Sequence, residues 1–221
     1  EVQQHDPDVL LMQDAGELMS SPRVSREALR AVLGDRQVQA FGQYIVASRW
    51  PLADCAAREM PYRGKSHTYM RCTLKAPGQD IALFNVHFVT PRQGLNATRH
   101  EGLGGLEDWA ANVADRLTQA SIVAEALRGT REPVILAGDL NAPESSMVVQ
   151  SLLGTGLRDA FSSAARGYGY THGHSLRPGI SFLRIDHILV SPQLGVAAVE
   201  VGGKIASEHR PVIADLWLHR P

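Results

Sequence analysis

The order of apolar and polar positions predicts a chain of alternating strands and helices. Short apolar runs bounded by turn residues are typical of strands, and longer segments with apolar residues every three or four positions are typical of helices. Helices are expected at 25–33, with Ser25 as the N-cap, and at about 106–128, ending at Gly129. The predicted strands cover residues 8–14, 37–50 as one or two strands, 68–74, 80–88, 132–137, 154–161, 182–191, 196–201 and 211–218.

Two glycine-containing segments are predicted as long loops that border a site. Residues 90–105 follow His87, and residues 166–181 precede the strand that contains Asp186. Aromatic residues in the second segment could stack a nucleobase or enter a lipid interface, and the alternative is a mobile polar loop. A zinc pair formed by its two histidines, His172 and His174, is disfavoured because no third ligand is in view.

Composition fits one globular domain over residues 1–221. With 221 residues and 44% hydrophobic residues, the chain can bury a substantial core. The net charge of −1 provides no global basic field for non-specific nucleic-acid binding, although a local patch could suffice. No apolar run is long enough to span a bilayer, and two cysteines define neither a disulfide framework nor a zinc site. The compartment stays undetermined.

Arginine greatly outnumbers lysine, and arginine suits bidentate contact with phosphate. A coding bias toward arginine explains most of this excess. The arginines that lie closest to the polar strand ends are the ones worth testing. They are Arg92, Arg99, Arg184 and Arg210, of which Arg92 and Arg99 are the candidate substrate-binding residues.

Polar side chains stand at three predicted strand ends. Gly138 releases the backbone after an apolar run, so that Asp139 and Asn141 emerge on the same side, although a simple polar turn has the same composition. Asp186 interrupts another apolar run, and a buried carboxylate is costly unless it is paired. We therefore expect Asp186 to hold the imidazole of His209, which stands before the last strand, and expect one shared site.

Five short motifs in one order resemble the endonuclease/exonuclease/phosphatase superfamily, which includes DNase I, exonuclease III and neutral sphingomyelinases. Any one of them is weak, but together they cover nearly the whole chain. The resemblance implies a four-layer α/β sandwich, with two mostly antiparallel sheets between helices. The motifs are Asp8-Val9-Leu10-Leu11-Met12-Gln13-Asp14, Asn85-Val86-His87-Phe88, Gly138-Asp139-Leu140-Asn141, Ile185-Asp186-His187 and Ser207-Glu208-His209-Arg210-Pro211-Val212.

The resemblance also implies the roles of the polar residues in a phosphoesterase. Asp139 accepts the proton of the attacking water, and Asn141 orients that water or the phosphate. His209, fixed by Asp186, and His87 contact the phosphoryl oxygens. His187 is expected to be structural, because its side chain should point away from that of its neighbour in the strand.

The metal ligands implied by the resemblance are Asp14 and Glu208, which would hold Mg²⁺ or Mn²⁺. The family has Glu at the first position and Asp at the second, so one side chain is shorter here and the other longer. We favour compensation between the two at one shared ion, since the other motif residues keep their identities. The competing interpretation is that both positions have drifted in a chain that no longer needs metal.

A further departure is that the family's usual first strand and its metal-site Asn are expected to be absent. Either the chain is a fragment, or another element replaces that strand. The sequence thus predicts a monomeric, metal-dependent enzyme with no obligate protein partner, which hydrolyses a phosphodiester in nucleic acid or in a phospholipid head group. The alternatives are a phosphatase for small phosphate esters, or a non-catalytic binding module on the same fold.

Overall fold

The structure is a computed structural model that describes residues 2–16, 18, 26–173, 180–203 and 207–219. The expected N-cap Ser25 and the residue His174 lie outside the described residues. The described strands are β1 (Val9–Met12), β2 (Gln37–Phe41), β3 (Tyr44–Ser48), β4 (Leu52–Glu59), β5 (Thr68–Ala76), β6 (Gln79–His87), β7 (Val134–Asp139), β8 (Arg158–Asp159), β9 (Asp186–Val190), β10 (Leu194–Val201) and β11 (Val212–Leu218).

Helices lie on the outer faces of the sheets. None of the described helices is both long and apolar enough to cross a membrane. They are α1 (Val2–His5), α2 (Arg26–Leu33), α3 (Arg92–Glu101), a 3₁₀ turn (Gly102–Gly105), α4 (Leu106–Arg128), α5 (Met147–Leu153) and α6 (Ala160–Ala164).

Two layers of sheet pack against each other. One layer is a six-stranded sheet in the order β4-β5-β6-β7-β9-β8, in which β6 and β7 run parallel and the other described pairs are antiparallel. The facing layer contains the sheets β1-β3-β2 and β10-β11. The predicted α/β sandwich is therefore confirmed.

The core has two parts, one on each face of the six-stranded sheet. Phe84 and Leu136 on one face pack with Val123 of α4 and Val149 of α5. The other face packs against the smaller sheets through a second cluster that includes Tyr44, Val46, Leu83 and Val190, with Val9 and Leu216 against it. Burial on both faces explains why β6 and β7 read as continuous apolar runs.

The smaller sheets have open edges among the described strands. β1 pairs with β3, and β11 pairs with β10, each on one side. The expectation that a family strand is missing from this chain stays a prediction.

Several sequence-based boundaries are confirmed. The long helix α4 spans Leu106–Arg128, as the apolar spacing predicted. The segment 37–50 forms two strands, and β5 and β6 form a hairpin around Pro77-Gly78.

The prediction of a long loop at 90–105 is wrong, because most of that segment is α3 and the 3₁₀ turn that follows it. Its glycines serve close packing rather than disorder. A Cβ on Gly94 would lie 3.0 Å from Trp109 Cα, and one on Gly105 would lie 2.3 Å from the Ala97 carbonyl carbon. The small residues thus allow α3 to pack closely on α4.

The predicted strand at 154–161 is also wrong, since only Arg158–Asp159 is extended there. Asp159 ends the strand because its carboxylate accepts a hydrogen bond from the Ser162 backbone N–H at 3.0 Å and so caps α6. The preceding α5, capped in the same way by Ser146, was not predicted. The strand expected from 182 begins only at Asp186, because Phe182 and Leu183 instead hydrogen-bond to His172.

A disulfide joins Cys55 on β4 to Cys72 on β5. Cys55 lies where the β4–β5 register shifts between Ala53 and Ala56. Neither the spacing nor the number of cysteines predicted this pair, because adjacency in a sheet is a property of register. The bridge closes a short loop, which favours the folded state by restricting the unfolded chain.

Gly138 sets the parallel approach of β6 and β7. Its φ is 148°, and a Cβ there would lie 1.9 Å from the Val86 carbonyl oxygen. We expect Gly138→Ala to lower the free energy of unfolding by about 2–4 kcal/mol. Gly129→Ala is the matched control and should cost little, because Gly129 has φ −79° and a Cβ there would lie 3.6 Å from the Ala126 carbonyl oxygen. Urea unfolding measures both; equal midpoints would contradict the steric argument.

Candidate active site

Sheet register brings three of the predicted residues together. His87, the last residue of β6, lies opposite Asp139, the last residue of β7. Asp139 in turn lies opposite Asp186, the first residue of β9. His209 precedes β11 in the facing layer and reaches the same edge. The shared site that the strand ends predicted therefore has a structural basis in neighbouring strands.

His209 and Asp186 form a hydrogen-bonded pair. His209 Nδ1 lies 2.8 Å from Asp186 Oδ2 and 3.0 Å from Oδ1, so the ring donates from Nδ1 and turns Nε2 toward Asp139. Burial lowers the pKa of His209, but the hydrogen bond to Asp186 and the nearby carboxylates outweigh it and raise that pKa above its usual value. The pair thus favours a protonated imidazole beside the site.

Asp139 stands at the centre of the cluster. Its Oδ1 accepts the Asn141 backbone N–H at 2.7 Å. Its Oδ2 lies 3.5 Å from His87 Nε2 and 3.9 Å from His209 Nε2, distances longer than those of ordinary hydrogen bonds. Burial, aided by the charge of Asp186, raises the pKa of Asp139 to about 7. A carboxylate with that pKa can accept a proton near neutral pH.

His87 is oriented by a residue that the motifs did not single out. Its Nδ1 lies 2.8 Å from Gln43 Oε1 and 3.4 Å from Asp14 Oδ1. Burial lowers the pKa of His87 despite the charge of Asp14, which favours the neutral ring. Since Nδ1 donates to Gln43, the lone pair of a neutral ring lies on Nε2, which faces Asp139.

Asn141 is held by its own side chain and by a buried helix residue. It has a positive φ of 50°, its side-chain amide donates to the Phe88 carbonyl at 2.8 Å, and its own carbonyl accepts from Arg116 Nη2. Burial lowers the pKa of the Arg116 guanidinium, and the charge of Asp139 opposes this. Asn141 therefore ties the loop after β7 to the end of β6.

Arg116 belongs to a buried polar stripe on α4 that the sequence analysis missed. Asn112 donates to the Thr90 carbonyl, and Gln119 accepts the Val89 N–H and donates to the Met60 carbonyl. The positions 112, 116 and 119 follow the helical period on the face turned to the core. Polar residues at helical spacing on an otherwise apolar face could have indicated that this helix hydrogen-bonds to the loops around the site.

A second charged cluster lies under the site. The fully buried ring of His187 contacts Asp159 Oδ2 through Nδ1 at 2.7 Å and the Ala142 carbonyl through Nε2 at 2.9 Å. Arg184 bonds to Asp159 and to Glu144. Arg210 donates to the carbonyls of Gly202, Val201 and Tyr170. Arg184 and Arg210 are thus engaged in structural contacts, and His187 points away from the cluster around Asp139.

Of the other predicted residues, Asp14, Glu208 and Arg92 act electrostatically on residues in or beside the cluster. The charge of Asp14, whose side chain is 76% exposed, acts on the pKa of His87 and Asp139, and the charge of Glu208 acts on that of His209. Arg92 begins α3 and acts on the pKa of His172. Arg99 lies in the last turn of α3, two turns further along.

The donor set fits a hard divalent cation. Among the described residues, ligand atoms of Asp139, Asp186 and His209 lie within 4.8 Å of one another. Carboxylate oxygens are the ligands that Mg²⁺ and Mn²⁺ prefer. The raised pKa of Asp139 also means that its charge is poorly compensated by the protein alone, and a nearby cation would offset it.

A sequence profile described as the endonuclease/exonuclease/phosphatase family matches residues 1–209. The chain belongs to this family. Members of the family are phosphoesterase hydrolases, which supports that class of activity here. The resemblance drawn from the five motifs is confirmed. No curated protein matched the chain significantly in sequence.

Solved structures show the same fold. A family protein from Beutenbergia cavernae DSM 12333 is 20% identical with a TM-score of 0.73, over 98% of this chain and 64% of that one. A family protein from Bacteroides vulgatus gives 20% identity and 0.73 over 99% and 87% of the two chains. A mannosyl-6-phosphatase from Bacteroides thetaiotaomicron gives 19% and 0.64 over 98% and 88%. This chain thus spans about two thirds of the Beutenbergia protein.

Two buried aspartates should respond oppositely to the same substitution. In metal-free protein, folding keeps a proton on Asp139 that the unfolded chain loses above a pKa of 3.8, so Asp139 lowers stability as the pH rises from about 4 to about 7. Asp139→Asn should therefore stabilise by about 2 kcal/mol at pH 8 and little at pH 4.

Asp159→Asn is the matched comparison. Burial raises the pKa of Asp159, but the hydrogen bond to His187 and the charges of His187 and Arg184 outweigh it and lower that pKa. The ionised form therefore stabilises the fold above the ordinary pKa and is lost as the pH falls through the lowered value. We expect a cost of about 3–5 kcal/mol at neutral pH. Thermal unfolding in EDTA at both pH values measures the pair; two destabilised variants at pH 8 would contradict the assignment for Asp139.

Proposed function

We propose that the protein is a divalent-metal-dependent phosphoesterase that hydrolyses a phosphodiester by direct attack of water at phosphorus. The observation that carries the proposal is the convergence of His87 Nε2 and His209 Nε2 on Asp139 Oδ2, with His209 fixed from behind by Asp186. A general base, and donors aimed at the phosphoryl oxygens, favour hydrolysis at phosphorus.

In the proposed reaction, Asp139 accepts a proton from water as the water oxygen bonds to phosphorus. The Asn141 backbone N–H keeps Oδ1 occupied, so the proton goes to Oδ2. His209, which the pair with Asp186 favours in the protonated form, donates a hydrogen bond from Nε2 to a phosphoryl oxygen. The bond between phosphorus and the leaving oxygen then breaks, and that oxygen takes up a proton.

Asp14 and Glu208 are the residues proposed to hold Mg²⁺ or Mn²⁺. Both border the cluster of Asp139, Asp186 and His209, whose ligand atoms lie within 4.8 Å of one another and add to the donor set. A bound divalent ion supplies positive charge that favours binding of the phosphate and offsets charge that develops at phosphorus.

The substrate is proposed to be a phosphodiester of nucleic acid or of a phospholipid head group. The formal net charge of −1 favours the latter slightly, because it supplies no global basic field. Arg92 and Arg99 lie two turns apart on the exposed side of α3 and are the proposed contacts to substrate phosphate. The protein is proposed to act as a monomer with a single domain.

A phosphatase acting on small phosphate esters is the second candidate. The fold similarity to a mannosyl-6-phosphatase favours it, although fold alone does not fix the substrate. A non-catalytic binding module is the third. It predicts neither binding of a divalent ion nor turnover of any phosphate ester.

The test compares hydrolysis of bis(p-nitrophenyl) phosphate, p-nitrophenyl phosphate, plasmid DNA and phosphatidylcholine in detergent, each with Mg²⁺, Mn²⁺ or EDTA. Turnover that requires metal and falls by about 10²–10⁴ in His209→Ala supports the proposal. His100→Ala, on the exposed side of α3, is the control and should keep parental activity. A preference for the monoester would favour the second candidate, and absence of both turnover and Mn²⁺ binding would favour the third.

The exchanged carboxylates allow a sharper test of shared coordination. Asp14→Glu alone should crowd the ion and lower kcat/KM by about tenfold, since Mg²⁺ tolerates little distortion of its geometry. The double variant Asp14→Glu with Glu208→Asp restores the family's common pair and should act at least as well as the parent. Additive losses in the double variant, measured with Mn²⁺ affinity by calorimetry, would count against one shared ion.

A further inference from the structure

His172 is a buried histidine next to the cluster that neither the motifs nor the proposed chemistry uses. Its residue is 8% exposed, and its ring lies against that of His209 with 4.4 Å between centroids and 34° between planes. Its Nδ1 is buried and has no hydrogen-bond partner among the described residues. Nδ1 has no solvent access and so cannot reach a substrate in this conformation, and His172 contacts His209 through its ring.

The backbone around His172 is anchored to both halves of the Asp186–His209 pair. His172 exchanges backbone hydrogen bonds with Leu183, three residues before Asp186. The carbonyl of its neighbour Thr171 accepts the Arg210 N–H at 2.9 Å, next to His209. Thr171 Oγ1 also accepts the backbone N–H of Asp186 at 3.3 Å. The backbone of His172 is therefore fixed relative to both members, and its ring lies against that of His209.

The hydrogen bonds to Asp186 leave one freedom of His209 unrestrained. The ring is tethered at Cγ by its own side chain and at Nδ1 by the hydrogen bonds, but coupled changes of χ1 and χ2 can still tilt its plane and move Nε2 relative to Asp139 Oδ2. A flat side chain against one face of the ring blocks this rotation and keeps water from that face. Displacements of about 1 Å of a catalytic group can cost about a hundredfold in rate.

We propose that His172 is a positioning residue that fixes the ring plane of His209 by face contact, and so aims Nε2 at the phosphoryl group. The proposal rests on the proposed phosphoesterase activity for its catalytic consequence, but the restraint itself is a property of the folded chain. The proposed role depends on a flat ring, because His172 and His209 contact each other through their rings and Nδ1 of His172 makes no hydrogen bond to a described residue.

The decisive comparison is between His172→Phe, which keeps a flat face, and His172→Leu, which fills the space without one. We expect His172→Phe to keep kcat within about threefold of the parent, and His172→Leu to lose about 10- to 100-fold in kcat with KM changed by less than about threefold. Removal of an unpaired buried nitrogen should also raise the Tm of His172→Phe by about 2–4 °C.

A second readout does not depend on turnover. In metal-free protein, the proton on His209 Nδ1 that is shared with Asp186 should give a slowly exchanging, downfield ¹H–¹⁵N signal, identified by its loss in His209→Ala. We expect this signal in the parent and in His172→Phe, and expect it to broaden in His172→Leu and His172→Ala. If the parent fails to hydrolyse any phosphate ester, the proposed function fails while this signal still decides the inference.

The results that would refute the role of His172 differ from those that would refute the proposed phosphoesterase activity. Equal losses in the Phe and Leu variants would mean that a nitrogen of His172 matters, and parental kcat with a sharp signal in the Leu variant would mean that the contact is dispensable. His172→Met and His172→Ala replace the Leu variant if that protein does not fold. If none of these three folds, or if His172→Phe does not, the residue is structural and the inference is wrong.

Discussion

The parallel contact between β6 and β7 is the constraint on which the rest of the site depends. Two strands that run parallel end at the same edge, so His87 and Asp139 become neighbours without any long loop. Gly138 permits the close approach through its backbone conformation. The antiparallel β9 then begins where β7 ends, which adds Asp186 at the same level. Three polar side chains thus share one edge because of strand direction alone.

The two buried aspartates, on strands that flank β9, illustrate how the same side chain is used in opposite ways. Asp159 is surrounded by hydrogen bonds and positive charge, so its ionised form is favoured. Asp139 faces another carboxylate and has one backbone donor, so its ionised form is disfavoured. The contacts of Asp159 stabilise the segment that supports the site, whereas Asp139 keeps a basic oxygen without a strong partner. Sites that bind and react commonly retain such uncompensated groups.

Patterns of local origin predicted much of the fold and of the candidate site. Residues such as Asp186 stood out because a carboxylate inside an apolar strand needs a partner, and the structure has His209 there. The α4 helix was predictable from its spacing. The segment 90–105 was not, because its glycines allow close packing on α4 that only the tertiary structure discloses. The roles of Gln43 and Arg116 and the Cys55–Cys72 disulfide were not predicted for the same reason, because each depends on a contact between residues far apart in the sequence.

The supporting residues also explain how the site keeps its geometry. Each side chain of the cluster has one atom in a hydrogen bond to a supporting residue and a second polar atom that faces the centre of the cluster. The supporting residues are Asn141 for Asp139, Gln43 for His87 and Asp186 for His209. One hydrogen bond fixes a position but not a rotation, so a further restraint is needed wherever direction matters. For His87, burial among its neighbours supplies it. His209 lies on a loop before β11 and is less buried than His87. The ring of His172 lies against it, and this contact can limit rotation of the His209 ring without a further hydrogen bond.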